Sequence, residues 1–187
     1  MEKSMLKPYL RDNLDILFVG LNPATGSSRN KHYFSVNQSF WKQLFKAELI
    51  KKNIDKLNAD EQVFGNTNIN FDNWEYGITD LITEIAESDS QKIKPTKDDC
   101  KKLKEIISDL NPKIVIILHA KVLKNFMKYL DYDVPPSNSG QLRKLISNCS
   151  TMFFNIAFPH GNTIVEEEKI KQYKLVKNYL QKYNKKK

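Results

Sequence analysis

The residues with the clearest chemical potential lie in two loops. Gly20-Leu21-Asn22-Pro23-Ala24-Thr25-Gly26-Ser27-Ser28 leaves an apolar run through turn-forming residues and exposes backbone amides, as a phosphate or other anion site requires. It is not the loop of nucleoside triphosphatases, because five residues rather than four separate Gly20 from Gly26 and no Lys-Ser or Lys-Thr follows. Nor do its glycines have dinucleotide-binding spacing. On the local sequence alone, Asn22 reads as the cap of a turn before Pro23. The continuation Lys31-His32-Tyr33-Phe34-Ser35-Val36-Asn37-Gln38-Ser39-Phe40-Trp41 interleaves basic, polar and aromatic residues ahead of a helix. Phe40 and Trp41 read as core anchors of that helix, and His32 as an ordinary polar loop residue. The second loop, Ala157-Phe158-Pro159-His160-Gly161-Asn162-Thr163, follows another apolar run. No pair of carboxylates stands near either loop, which disfavours a sugar glycosidase with separate acid and base carboxyls. No serine nucleophile elbow is present.

These loops need a scaffold, and the hydrophobic pattern supplies one. Asp15–Gly20, Lys113–Leu118 and Thr151–Ala157 are short apolar runs that read as buried strands. Amphipathic stretches at Asn37–Lys51, Asp98–Leu110, Lys121–Tyr129 and Glu166–Tyr183 read as helices, the second ended by Asn111-Pro112. Alternation of the two predicts an α/β protein, a three-layer αβα sandwich with a short, mainly parallel central sheet. In such sheets the ligand sits beyond the carboxyl ends of the strands, which points to the loops after Gly20, Leu118 and Ala157. Val63–Trp74 reads as an irregular insertion, and Pro135–Gly140 as a turn-rich surface loop.

The chain has 187 residues, which predicts a single domain over 1–187 with one sufficient core. Thirty Lys and Arg against twenty-two Asp and Glu give a formal charge of +8, attractive to a polyanion in a salt-dependent way. Part of that excess sits in Lys182-Tyr183-Asn184-Lys185-Lys186-Lys187, read as a frayed, solvated helix end. Cys100 and Cys149 are too few for a disulfide framework or an iron–sulfur cluster, and His32, His119 and His160 lack helical zinc spacing, so no metal is expected. No apolar run approaches the length of a spanning helix, and Met1-Glu2-Lys3-Ser4 is not an export leader, so the expected setting is the cytoplasm, or the nucleus in a eukaryote.

Gly20-Leu21-Asn22-Pro23, with Tyr33 eight positions before Trp41, resembles the first motif of the mismatch-specific uracil- and thymine-DNA glycosylases, a branch of the uracil-DNA glycosylase superfamily. That motif has a Gly, an apolar residue, Asn-Pro, then an aromatic residue at this distance before Phe-Trp. Tyr76-Gly77-Ile78-Thr79-Asp80-Leu81 is similar to the family's Gly-apolar-Thr segment. Ile116-Ile117-Leu118-His119-Ala120-Lys121 is similar to its apolar strand, small or polar residue and helix-opening Lys. The order agrees over roughly residues 14 to 180.

The resemblance implies base-excision repair: a monofunctional glycosylase, without cofactor and monomeric, that hydrolyses the N-glycosidic bond of a damaged or mispaired base flipped out of DNA. Uracil is the first candidate base. Asn22 then corresponds to the catalytic Asn that orients the attacking water. Tyr33 corresponds to the aromatic on which the base stacks, a contact worth about 1–3 kcal/mol. Gly20, Leu21, Pro23, Phe34 and Thr79 complete the base pocket, and amides near Leu21 and Tyr33 receive the base's developing negative charge. Lys31 reads as a phosphate contact rather than a Schiff-base nucleophile. The second loop takes the place of the family's Pro-containing motif that enters the duplex, but departs from it. Mismatch-specific members have Asn-Pro-Ser and many other branches His-Pro-Ser, whereas this chain has Phe158-Pro159-His160-Gly161-Asn162. His160 is expected as a donor toward the departing base or a phosphate, and Pro159, Gly161, Asn162 and Thr163 as DNA contacts. The departure keeps hypoxanthine and thymine opposite guanine open as substrates. It also supports an alternative, a catalytically inert relative that binds DNA or a protein partner. A nucleotide-binding α/β domain is a third reading.

Overall fold

The apolar runs become strands because their Val, Ile and Phe side chains have helices to pack against on both faces. The computed structural model describes residues 1–185. In chain order the elements are β1 (Glu2–Lys3), β2 (Ile16–Gly20), α1 (Thr25–Asn30), α2 (Ser39–Lys46), β3 (Tyr76–Asp80), β4 (Ile85–Ala86), α3 (Lys97–Leu110), β5 (Ile114–Ile117), α4 (Ala120–Tyr129), β6 (Gly140–Gln141), β7 (Met152–Asn155) and α5 (Glu166–Asn184). The main sheet runs β3-β2-β5-β7-β6, parallel except for β6, and β1 pairs antiparallel with β4 as a separate ribbon.

Strand periodicity sorts the core into two layers. Ile16, Phe18, Tyr76, Ile78, Ile114, Ile116 and Phe154 face α2 and α5, meeting Phe40, Trp41, Leu44, Tyr173 and Val176. Leu17, Val19, Val115, Ile117 and Phe153 face α3 and α4, meeting Leu103, Ile107, Val122 and Phe126. This is the expected three-layer αβα arrangement. β3 and β5 flank β2 on opposite sides, so the strand order reverses at β2 and a crevice opens beyond its carboxyl end.

Several local expectations needed correction. α2 stops at Lys46 instead of Lys51, because Glu48 turns left-handed and Lys51 donates its amide to Ile69. Tyr76–Asp80, read only as a motif, is a fully buried strand. The 63–74 insertion is irregular as expected, but Val63, Phe64 and Trp74 enter the core. The 135–140 stretch is a turn-rich surface loop as expected, and Asn138 and Asn155 clip it to β7, with β6 extending the sheet edge. The helix end is docked rather than frayed, since Lys113 bonds Asn184 and lies over the Tyr183 ring. Lys186 and Lys187 lie outside the described residues.

Candidate active site

The crevice beyond β2 is a cleft of about 530 Å³ whose walls come from the loops after β2, β3, β5 and β7. Gly20, Leu21, Asn22, Pro23, Tyr33, Phe34, His160, Gly161 and Asn162 line it. Lys31, Thr79, Pro159 and Thr163 do not.

Gly20 ends β2 opposite Asp80. A Cβ there would lie 2.2 Å from Asp80 Oδ1, so only glycine lets the carboxyl reach the floor of the cleft. Asn22 comes next, its amide held rather than free. Nδ2 donates to the carbonyls of Pro23 (2.9 Å), Glu87 (2.9 Å) and Ile85 (3.4 Å). With the donor side committed, Oδ1 is left as an acceptor on a half-buried residue of the cleft. Leu21 is buried, and its carbonyl accepts from Ile82.

The segment after α1 is pinned by a buried carboxylate. Asp60 accepts from the Tyr33 amide at 2.8 Å, from the Glu61 amide at 3.0 Å, and lies 2.9 Å from His32 Nδ1. Burial raises the Asp60 pKa while these donors oppose the rise. Two expectations change as a result. The Tyr33 amide is spent on Asp60 and cannot receive charge from a departing base, and His32 is a structural tie rather than an ordinary loop residue. Tyr33 itself is only 4% exposed, with its ring beside Tyr9 and its phenol beside Asp80. Burial first, then the nearby carboxylates, hold that phenol far above its usual range. Phe34, with positive φ, stacks on Phe40 at 4.0 Å and keeps more of its surface open than Tyr33. Lys31 is exposed in the left-handed position that ends α1.

β3 contributes Asp80 and not Thr79. Side chains alternate along a strand, and Thr79 pairs with Val19, which faces α3 and α4. Thr79 is therefore buried on the far side of the sheet, away from the cleft. Asp80 is 7% exposed, and its Oδ2 has no hydrogen-bond partner among the described residues. Burial raises its pKa to about 7, against the stabilising Tyr33 phenol. Glu87 also lines the cleft, so the fold assembles two carboxylates that are separated in sequence from the Asn22 loop. Glu87 is occupied within its own turn, accepting from the Asp89 amide.

His119 enters from the start of α4. Its Nδ1 accepts from the Lys121 amide at 3.1 Å, which places the proton on Nε2. Burial and then repulsion from Lys121 lower its pKa, so the ring is a neutral N–H donor at the cleft. Across the Phe158 ring stands His160, with ring centroids 5.9 Å and 5.1 Å from it. His160 is lowered by partial burial and then by Lys169. Asn162 braces this loop from inside, donating to the carbonyls of Phe158 and His160 and accepting from Ile164, so its side chain is engaged without DNA. Pro159 is buried, whereas Gly161 is exposed, with φ of 71° and open space where a Cβ would stand. Thr163 is exposed beyond the rim.

Asp80 and His119 were missed as site residues although the motifs containing them were read. The usable signal was positional: each is a titratable residue at the carboxyl end of a buried strand. Among the described residues no group of three or more His, Cys, Asp or Glu could hold a metal, and no helix is long and apolar enough to cross a membrane.

A mainly parallel αβα sheet thus carries a cleft at its switch point, walled by an Asn-Pro loop and a Pro-containing loop. Residues 7–183 match the family model of the uracil DNA glycosylase superfamily, and the chain belongs to that superfamily. Comparison with curated individual proteins gives no match.

Proposed function

We propose that the protein is a monofunctional DNA glycosylase that hydrolyses the N-glycosidic bond of a single extruded base, with uracil as first candidate. The observation that carries this reading is the geometry of Asn22, whose three carbonyl contacts leave one uncommitted amide oxygen in the cleft. Such an oxygen orients a water without strongly removing its proton, so attack follows lengthening of the C–N bond rather than preceding it. Positive charge then develops on the sugar and negative charge on the base. His119 Nε2–H and His160 stand on the cleft wall as neutral groups able to meet the base's charge. No lysine lines the cleft among the described residues, which supports hydrolysis without strand cleavage.

Asp80 favours a particular class of base. Its Oδ2 is shielded from solvent, so the protonated carboxyl meets the lactam edge shared by uracil, thymine and hypoxanthine, accepting a ring N–H and donating to the adjoining carbonyl, only once it turns into the cleft. An ionised carboxylate instead repels both that carbonyl and an anionic leaving base. A base inside a duplex cannot reach the cleft, so extrusion is part of the reading. Gly20-Leu21-Asn22-Pro23 and the Tyr33-to-Trp41 spacing support the mismatch-specific branch, while Phe158-Pro159-His160 departs from it. DNA is the partner, and the protein acts as a monomer.

One observation favours the inert, DNA-binding alternative: Tyr33 is buried with its amide committed, so it offers little open face for stacking. The test is incubation with end-labelled oligonucleotides carrying uracil opposite guanine, uracil opposite adenine, hypoxanthine or thymine opposite guanine, followed by alkali. Alkali-dependent cleavage that disappears in Asn22→Ala supports the glycosylase and names its base. Salt-sensitive DNA binding with no cleavage of any substrate supports the inert relative.

A further inference from the structure

α5 carries a charge where a helix least favours one. Its buried stripe of Lys169, Tyr173, Val176 and Leu180 begins with a lysine only 2% exposed. Burial pulls this ammonium below the usual lysine range, opposed by Glu166. The helix N-terminus adds repulsion of a positive charge. A methionine would fill the space without either penalty. The ammonium reaches a backbone atom: Nζ donates to the Pro159 carbonyl at 3.3 Å, and Gln43 Nε2 of α2 donates to the same oxygen at 3.0 Å. Donors from two helices thus occupy both lone pairs of the carbonyl that leads into His160.

We propose that Lys169 and Gln43 are positioning residues that lock the Pro159 carbonyl and hold the 158–164 loop in the conformation that presents His160 to the cleft. The lock is a property of the free protein, and only its effect on turnover rests on the glycosylase reading. The groups around His160 are Lys169 of α5, Glu166 beside it, Lys46 of α2 paired with Glu166, and His119 of α4 across the Phe158 ring. Repulsion from Lys169 adds to partial burial in keeping the His160 imidazole neutral. One side chain therefore sets both the direction of the loop and the charge it carries.

The experiment is NMR on the full chain without DNA, following the His160 imidazole titration and the backbone order of residues 158–164. Order parameters near 0.85 mark a rigid backbone and values below about 0.6 a mobile one. In Lys169→Met the loop becomes mobile and His160 titrates at higher pH than in the parent. In Lys169→Gln, which keeps a donor and loses the charge, the loop stays ordered while the titration moves upward. In Gln43→Met, which keeps the charge and loses a donor, order falls. A folded Lys169→Met with unchanged loop order and unchanged His160 titration overturns the proposal. Should that variant not fold, an unmoved titration in Lys169→Gln together with an ordered loop in Gln43→Met overturns it equally. Lys169→Met also lowers kcat roughly tenfold at nearly constant KM, the factor that one hydrogen bond of ordinary worth represents. If the parent protein excises no base while the NMR changes occur, the glycosylase reading fails and the lock stands.

Discussion

Asn22 does two jobs with one amide, and the two are separable by measurement. Its Nδ2 ties the loop after β2 to the carbonyls of Pro23 and Glu87, and its Oδ1 is the acceptor that the proposed reaction assigns to water. Asn22→Ala therefore costs about 1–2 kcal/mol in denaturant unfolding and lowers excision by about 10²–10³. Equal losses of activity in an alanine variant of a neighbouring loop residue with the same stability would assign the whole effect to loop shape. Asp80 makes a pH prediction whose sign follows from its raised pKa. Folded, the carboxyl keeps its proton up to about pH 7, whereas the unfolded chain gives it up near 3.8. The group's favourable contribution is full below the lower value and is lost as pH rises through the upper one. Asp80→Asn should therefore leave stability at pH 4 nearly unchanged and raise it at pH 8, by at most about 4 kcal/mol. Excision of a lactam base by the parent should fall as pH rises through about 7, and the Asn variant should flatten that fall. Gly20→Ala should lower activity by displacing Asp80, and the activity that remains should have a pH profile that no longer shows its titration.

At the scale of elements, legibility followed the range of the interactions. β2, β5, β7 and α3 through α5 were readable because their apolar periodicity is local. α3 also carries its own start signal, a capping box in which Thr96 accepts from the Asp99 amide while Asp99 bonds the Thr96 amide, and its stop at left-handed Asn111. Thr96→Ala should cost about 1 kcal/mol in thermal unfolding with excision unchanged, because α3 packs on the face away from the cleft. β3 was illegible as a strand because Gly77, Thr79 and Asp80 read as polar or flexible. Gly77 is needed for the close approach of the Tyr9 carbonyl, and Asp80 for the cleft. The site divides in the same way. The Asn22 and His160 loops were visible as motifs, yet the commitment of the Tyr33 amide to Asp60 depends on a residue twenty-seven positions away and leaves no local trace. The misplacement of Thr79 had a simpler cause, since the alternation of a strand cannot be applied until the strand is recognised.

For the whole molecule, the excess of positive charge predicts how the protein finds its substrate. Affinity for undamaged duplex DNA should fall at least about tenfold between 50 and 200 mM salt, the change expected from neutralising only two phosphates, with the slope measured by fluorescence anisotropy. A flat salt response would remove DNA from the reading altogether. The fold class and the end of the sheet that holds the cleft were both legible at this scale, because alternating buried strands and amphipathic helices admit few architectures. The small β1–β4 ribbon was not, as two-residue strands have no period to read. Yet β4 supplies the Ile85 carbonyl that grips Asn22, and the Glu87 carbonyl lies just beyond it. Glu2 and Lys3 pair with β4, Ser4 bonds Glu84, and Met5 bonds Ser28. The first five residues are thus mechanically in series with the Asn22 amide, to which the proposed reaction assigns the water. Anyone preparing this protein for assay should place the affinity handle at its far end, because a fusion partner pulling on Glu2 would be felt as a loss of turnover rather than as misfolding.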